Sequence, residues 1–137
     1  MSPKKQEKIF DVKYAKELLK IAQQDLLSAK ILKESSSGRV ENTLFMAQQS
    51  IEKGLKALLV SQRVPVPLVH DLGVLLAKIP DELDPPYGYE LNDLNQYASI
   101  RRYIEGEYQV TPEDVEIVLH KAEEMLRWCS QQVGETS

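Results

Sequence analysis

The sequence predicts an all-α domain, an up-down five-helix bundle of three long helices and two short ones. Three observations predict it. Apolar residues recur at intervals of three and four along most of the chain, the period of one buried helix face. No segment shows the one-on, one-off alternation of a half-buried strand. Clusters of serine, glycine and proline interrupt the periodic stretches and stop each one in turn.

The elements follow in order. Residues 1–10 are polar and lysine-rich and read as a flexible lead-in, 11–132 as the bundle, and 133–137 as a C-terminal tail. From Asp11, Tyr14, Leu18, Ile21, Ala22, Leu26, Ala29 and Leu32 mark the inner face of a first helix, with lysines between them. Ser35-Ser36-Ser37-Gly38 ends it, because serine competes for backbone hydrogen bonds and glycine accepts a left-handed turn. A second long helix spans about Val40 to Gln62, with Leu44, Phe45, Ile51, Leu55, Leu58 and Leu59 inward. Gly54 in its middle costs about 1 kcal/mol against alanine, which points to a neighbouring helix in close approach. Val64-Pro65-Val66-Pro67 stops this helix. A short third helix covers about His70 to Ile79, and helical spacing resumes near Leu91 with Leu94, Tyr97, Ala98 and Arg101. Thr111-Pro112-Glu113-Asp114 opens the last helix with a cap, a proline preset for the first turn and two carboxylates at the positive end. Its inner face is Val115, Val118, Leu119, Ala122, Met125, Leu126 and Cys129.

Composition narrows the function. At 42% apolar and 28% charged residues the chain has an ordinary globular balance, and 137 residues suffice for one core but not two. A formal charge of −4 leaves no global field for duplex DNA or an anionic membrane, so any nucleic-acid contact must use a local basic cluster. No apolar run is long enough to span a bilayer. A single cysteine, Cys129, excludes an intrachain disulfide and fits the reducing cytoplasm, where it reads as a small buried hydrophobe. Two histidines and one cysteine cannot make a zinc site of ordinary spacing, and no glycine-rich phosphate loop occurs, so no metal and no cofactor are expected.

Three clusters carry the remaining chemistry. In Gln48-Gln49-Ser50-Ile51-Glu52-Lys53-Gly54-Leu55-Lys56, helical spacing lets Gln48, Glu52 and Lys56 share one face, and Gln49, Lys53 and Lys56 an adjacent one. This is either a solvated face with a Glu52–Lys56 pair, or a buried polar strip that orders an anionic ligand or partner. His70-Asp71 sits at a helix start, where Asp71 suits the helix dipole and His70 is a cap, a packing residue or a catalytic group. Tyr97, Arg101, Arg102, Tyr103 and Tyr108 combine guanidinium forks for phosphate with aromatic faces for bases; the same residues also suit a subunit contact.

In this order the clusters resemble the HEPN domain family (higher eukaryotes and prokaryotes nucleotide-binding), small helical bundles found in prokaryotic operons beside minimal nucleotidyltransferases. The resemblance is carried by Asp25-Leu26 with Ala29, by Phe45, Gln48, Gln49, Glu52, Lys53 and Leu55 through Leu59, and by Pro67. It continues through His70-Asp71-Leu72 with Leu75, Tyr97 with Arg101-Arg102-Tyr103, and Glu113-Asp114 with Ala122. It implies a dimerising five-helix bundle linked to nucleotides or RNA, often as half of a toxin–antitoxin or defence pair. Many members are metal-independent ribonucleases with an Arg-x(4–6)-His motif. Here Tyr103-Ile104-Glu105-Gly106-Glu107-Tyr108 follows the arginines and no histidine lies within that reach; the family's arginine–tyrosine–proline variant is only partly met, since Ile104 follows Tyr103.

The expected function is therefore a non-hydrolytic homodimer that binds a nucleotide, RNA or a partner nucleotidyltransferase. Glu52, Lys53, Lys56, His70, Arg101, Arg102 and Tyr103 are the expected ligand-binding residues. The alternatives are a ribonuclease toxin, with His70 as base and Arg102 as phosphate clamp, and a purely structural oligomeric protein.

Overall fold

The computed structural model describes residues 6–35, 39–98 and 110–136. Among the described residues the long helices are α1 (Tyr14–Glu34), α2 (Val40–Ser61) and α4 (Pro112–Thr136), and the short ones are α3 (Leu72–Ala77) and a 3-10 helix (Gly88–Ala98). The bundle class and the balance of three long helices and two short ones are those the periodicity predicts. Two-residue strands β1 (Glu7–Lys8) and β2 (Val66–Pro67) pair antiparallel, Glu7 opposite Pro67 and Lys8 opposite Val66. Such a bridge is too short to leave any alternation in the sequence, and it straps the segment before α1 onto the end of α2.

Helix α2 is the axis of the molecule and packs on α1, α3, the 3-10 helix and α4. Leu44, Ala47, Ile51, Leu55, Leu58 and Leu59 are wholly buried along it. Phe45, expected inward, is only half-buried and stays out of this core. Gly54 explains the approach of α4: a β-carbon there would lie 2.6 Å from Leu126 Cδ2 and 3.5 Å from Cys129 Sγ. On α4 all seven residues of the predicted stripe are buried. Across the α1–α4 seam Lys30 meets Glu123 at 2.8 Å and Lys33 meets Glu116. The Lys30 ammonium holds the Glu123 carboxyl below its ordinary range.

The start of α1 departs from expectation. Ala15 and Leu19 are buried, whereas Tyr14 and Ile21 are exposed and Leu18 is half-buried. The stripe is turned by about one residue because the first turns of α1 pack on the bundle beside β2, leaving Tyr14, Leu18 and Ile21 along an open groove. The helix also starts later than Asp11, since a turn carries the chain in: Tyr14 N–H donates to the Asp11 carbonyl at 3.0 Å.

The third helix is shorter than the span from His70 to Ile79. Asp71 sets its start by accepting the Gly73 and Val74 N–H groups at 2.8 and 3.3 Å on Oδ1, as an N-cap does. The three-residue spacing of Leu91, Leu94 and Tyr97 now has a cause, because side chains three apart eclipse in a 3-10 helix and all three are buried. At the start of α4 the Thr111 hydroxyl accepts the Asp114 N–H at 3.1 Å, and Asp114 accepts the Thr111 N–H at 2.9 Å. This reciprocal capping box makes the helix start legible in the sequence.

Cys129 is buried, and burial pushes its thiol up to about 12 from 9.0. An acid held above its unfolded value favours the protonated fold, so this contribution is whole below pH about 9 and is lost as pH rises toward 12. Urea midpoints are expected to fall above pH 9 more steeply in the natural protein than in Cys129→Ala. Thiol labelling with a disulfide reagent should wait for unfolding. Labelling at the rate of a free thiol in the native protein would contradict the burial.

Candidate functional site

The polar strip of α2 is buried. Gln48 and Ser50 are wholly covered and Glu52 is 2% exposed, although all three lie on a helix flanked by apolar neighbours. Burial excludes a solvated face at these three positions, while the Glu52–Lys56 pair expected with it does form. Ser50 satisfies itself locally, its hydroxyl donating to the Ala47 carbonyl at 2.6 Å. Gln48 and Glu52, one turn apart on the same face, both turn toward the segment between β2 and α3.

There they hold His70 from two directions. The Gln48 side-chain amide donates to the His70 carbonyl at 3.4 Å, while Glu52 Oε1 lies 2.7 Å from His70 Nδ1. A carboxylate can only accept, so Nδ1 donates and, in the neutral ring, Nε2 is left as the acceptor. The Glu52 side chain is 3% exposed and that of His70 is 78% exposed. A buried anion thus orients an imidazole that stands largely in solvent. Lys56, one turn further along α2, brings Nζ to 3.9 Å from the same Glu52 oxygen. On the far side of Gln48, Gln49 donates to its amide oxygen at 2.8 Å.

The backbone that carries His70 is fixed equally well. Asn95 of the 3-10 helix accepts the Leu72 N–H at 2.8 Å and donates to Asp71 at 3.1 Å. Beside Gly73, a β-carbon would fall 2.5 Å from Asn92 Oδ1. Three elements, α2, α3 and the 3-10 helix, therefore determine where one imidazole points.

Of the seven expected binding residues, Glu52, Lys56 and His70 come together. Lys53 does not join them, because its ammonium crosses to Asp25 of α1 at 2.5 Å. Helical geometry turns Lys53 about 100° from Glu52, toward the neighbour helix instead. Arg101, Arg102 and Tyr103, with Tyr108, lie outside the described residues. Sequence reasoning missed Asn95, which supports the loop from a distant element and has no local signature. It grouped Gln48 with Glu52 by helical spacing but left it out of the expected binding residues. Among the described residues no three of histidine, cysteine, aspartate and glutamate converge to hold a metal ion. No helix among them is long and apolar enough to cross a membrane.

The family model described as "HEPN domain" matches residues 15–132, which include the whole Glu52–His70 arrangement. The chain belongs to the HEPN family. Two solved structures share the HEPN fold seen here. One, the crystal structure of TT1696 from Thermus thermophilus, superposes with a TM-score of 0.73 at 24% identity, covering 87% of this chain and 98% of that one. The other, ST0689, an archaeal HEPN homologue, gives a TM-score of 0.66 at 25% identity, covering 87% and 97%. Among curated proteins, none is similar enough to this HEPN chain to count as a match.

Proposed function

We propose that this HEPN chain is a non-hydrolytic, homodimeric module of the cytoplasm that binds a nucleotide or RNA, or a nucleotidyltransferase that carries one, as part of a toxin–antitoxin or defence pair. The observation that carries the reading is the imidazole of His70, exposed yet oriented by a buried carboxylate. Holding a carboxylate out of water costs several kcal/mol unless its partners compensate, and a loop histidine needs no such support merely to stay folded. The Lys56 ammonium offers an anionic ligand a charged donor, and His70 offers a second one only when Nε2 carries a proton as well as Nδ1. In this reading Arg101 and Arg102 add guanidinium forks from a groove between subunits, and Tyr103 adds a stacking face.

Thermal melts with ATP, GTP and short single-stranded RNAs test it. A ligand at about 100 times its Kd adds roughly 2.7 kcal/mol, a shift of several degrees. The shift is expected in the natural protein and absent in His70→Ala and Arg102→Ala, each of which should still melt cooperatively and remain dimeric. If no ligand moves the melt, the binding role is wrong and a purely structural oligomer remains.

The same geometry favours a second reading, a metal-independent ribonuclease. A carboxylate-oriented imidazole is the arrangement of a general base, here one that would draw the proton from an RNA 2′-hydroxyl while Arg102 holds the phosphate. Incubation with labelled RNA plus chelator decides between the two. Cleavage that disappears in His70→Ala would replace the non-hydrolytic reading.

A further inference from the structure

A second feature lies outside the His70 site. Tyr14, Leu18 and Ile21 of α1, Val60 of α2, and Val66 and Leu68 at β2 line an open groove of about 540 Å³. Its floor is core, with Val60 and Val66 no more than 2% exposed, but its rim is apolar surface left in water: Tyr14, Ile21 and Leu68 are 45, 44 and 48% exposed. Tyr14 and Ile21 at the start of α1 thus stand half-exposed along one channel, with Leu18, packed on the core, between them.

Charge says what kind of partner would cover it. The chain as a whole is acidic, at −4. Around the groove lysines outnumber carboxylates, although Lys56 is already paired with Glu52. Lys8 and Lys56 are part of its lining, and Lys13 stands over the Tyr14 ring at 5.2 Å, as Lys8 stands over Phe10 at 5.0 Å. Glu17 is the carboxylate in the lining that opposes them. Length says what shape it would have. Tyr14 to Ile21 is two helical turns, roughly 10 Å, the span covered by the i, i+3 or i+4, and i+7 anchors of an amphipathic helix.

We propose that this groove docks an acidic amphipathic helix of a partner protein. The partner's apolar anchors enter between Tyr14, Ile21 and Leu68, and its flanking carboxylates meet Lys8 and Lys13. Docking here does not depend on nucleotide binding, which is read by a different assay at a different side chain. Because Lys56 also approaches Glu52, a partner seated here would lie beside the His70 site.

The test uses the full chain and a phage-displayed library of short peptides, followed by fluorescence anisotropy with the enriched peptides. Enrichment of sequences with apolar residues at i, i+3 or i+4, and i+7 and with glutamate or aspartate between them is expected. Binding should weaken at least about tenfold in Ile21→Asp and in Leu68→Asp, and also on raising salt. Both substitutions sit at half-exposed positions, so unchanged circular dichroism and melting will establish that the variants fold. Ile117→Asp, on the exposed face of α4, should leave binding unchanged. Three results would overturn the proposal: no enrichment, enrichment of basic peptides, or binding that survives both groove substitutions. Conversion of a dimer to a monomer by Ile21→Asp or Leu68→Asp would overturn it too, by assigning the groove to a second copy of this chain.

Discussion

Glu52→Ala is expected to lower the unfolding free energy by about 2–3 kcal/mol and to abolish any ligand-induced rise in melting temperature. The loss combines a hydrogen bond between charged or polar partners, commonly about 1.5–3 kcal/mol, with the space left where a side chain only 3% exposed had been. Relief of carboxylate desolvation offsets part of it. Glu52→Gln separates the two consequences. The amide keeps the shape and can still accept from His70 Nδ1, so stability should fall by no more than about 1 kcal/mol. It removes the negative charge that faces His70 Nδ1 and the Lys56 ammonium, so the ligand shift should shrink far more than the stability. Urea denaturation and thermal melts with and without ligand measure both quantities. Equal, small effects of Ala and Gln on both readouts would show Glu52 to be an ordinary packing residue.

Gly54→Leu should destabilise the bundle by about 3 kcal/mol, the upper part of the range for overpacking a core. Even the first carbon added at Gly54 would stand 2.6 Å from the end of Leu126, and the rest of the leucine side chain would meet Cys129. Helix α4 would have to move off α2, along the seam that holds most of its stripe. Gly54→Ala behaves differently. The atom in its way is the tip of a leucine that can turn, and alanine recovers about 1 kcal/mol of helix propensity. Near-neutral alanine beside a strongly destabilised leucine is the expected pattern, measured as urea midpoints. Two substitutions of equal effect would mean that α4 does not bear on Gly54.

Much of the architecture was legible in the residues. Helices α2 and α4 come from unbroken three–four periodicity, the α4 start from Thr111-Pro112-Glu113-Asp114, and the close approach at Gly54 from a glycine with no turn to make. Their common property is that the deciding interactions lie within a few positions along the chain. The end of α1 and the burial of Cys129 follow in the same way. Other features were not legible, for the opposite reason. Whether Tyr14, Leu18 and Ile21 face inward depends on what packs beside the first turns of α1, and the β1–β2 bridge joins residues far apart along the chain, Glu7 to Pro67.

By itself the sequence determined the bundle class, its helix order, the capping of α4 and the polar composition of the α2 stretch, because periodicity and capping are short-range physics. Only the tertiary structure decided that this polar stretch is buried, that Glu52 turns to His70 eighteen residues away while Lys53 turns to Asp25, and that a lysine-edged groove stays open beside α1. The partner a polar side chain meets is set by elements distant in sequence. Neighbours along the chain cannot specify it.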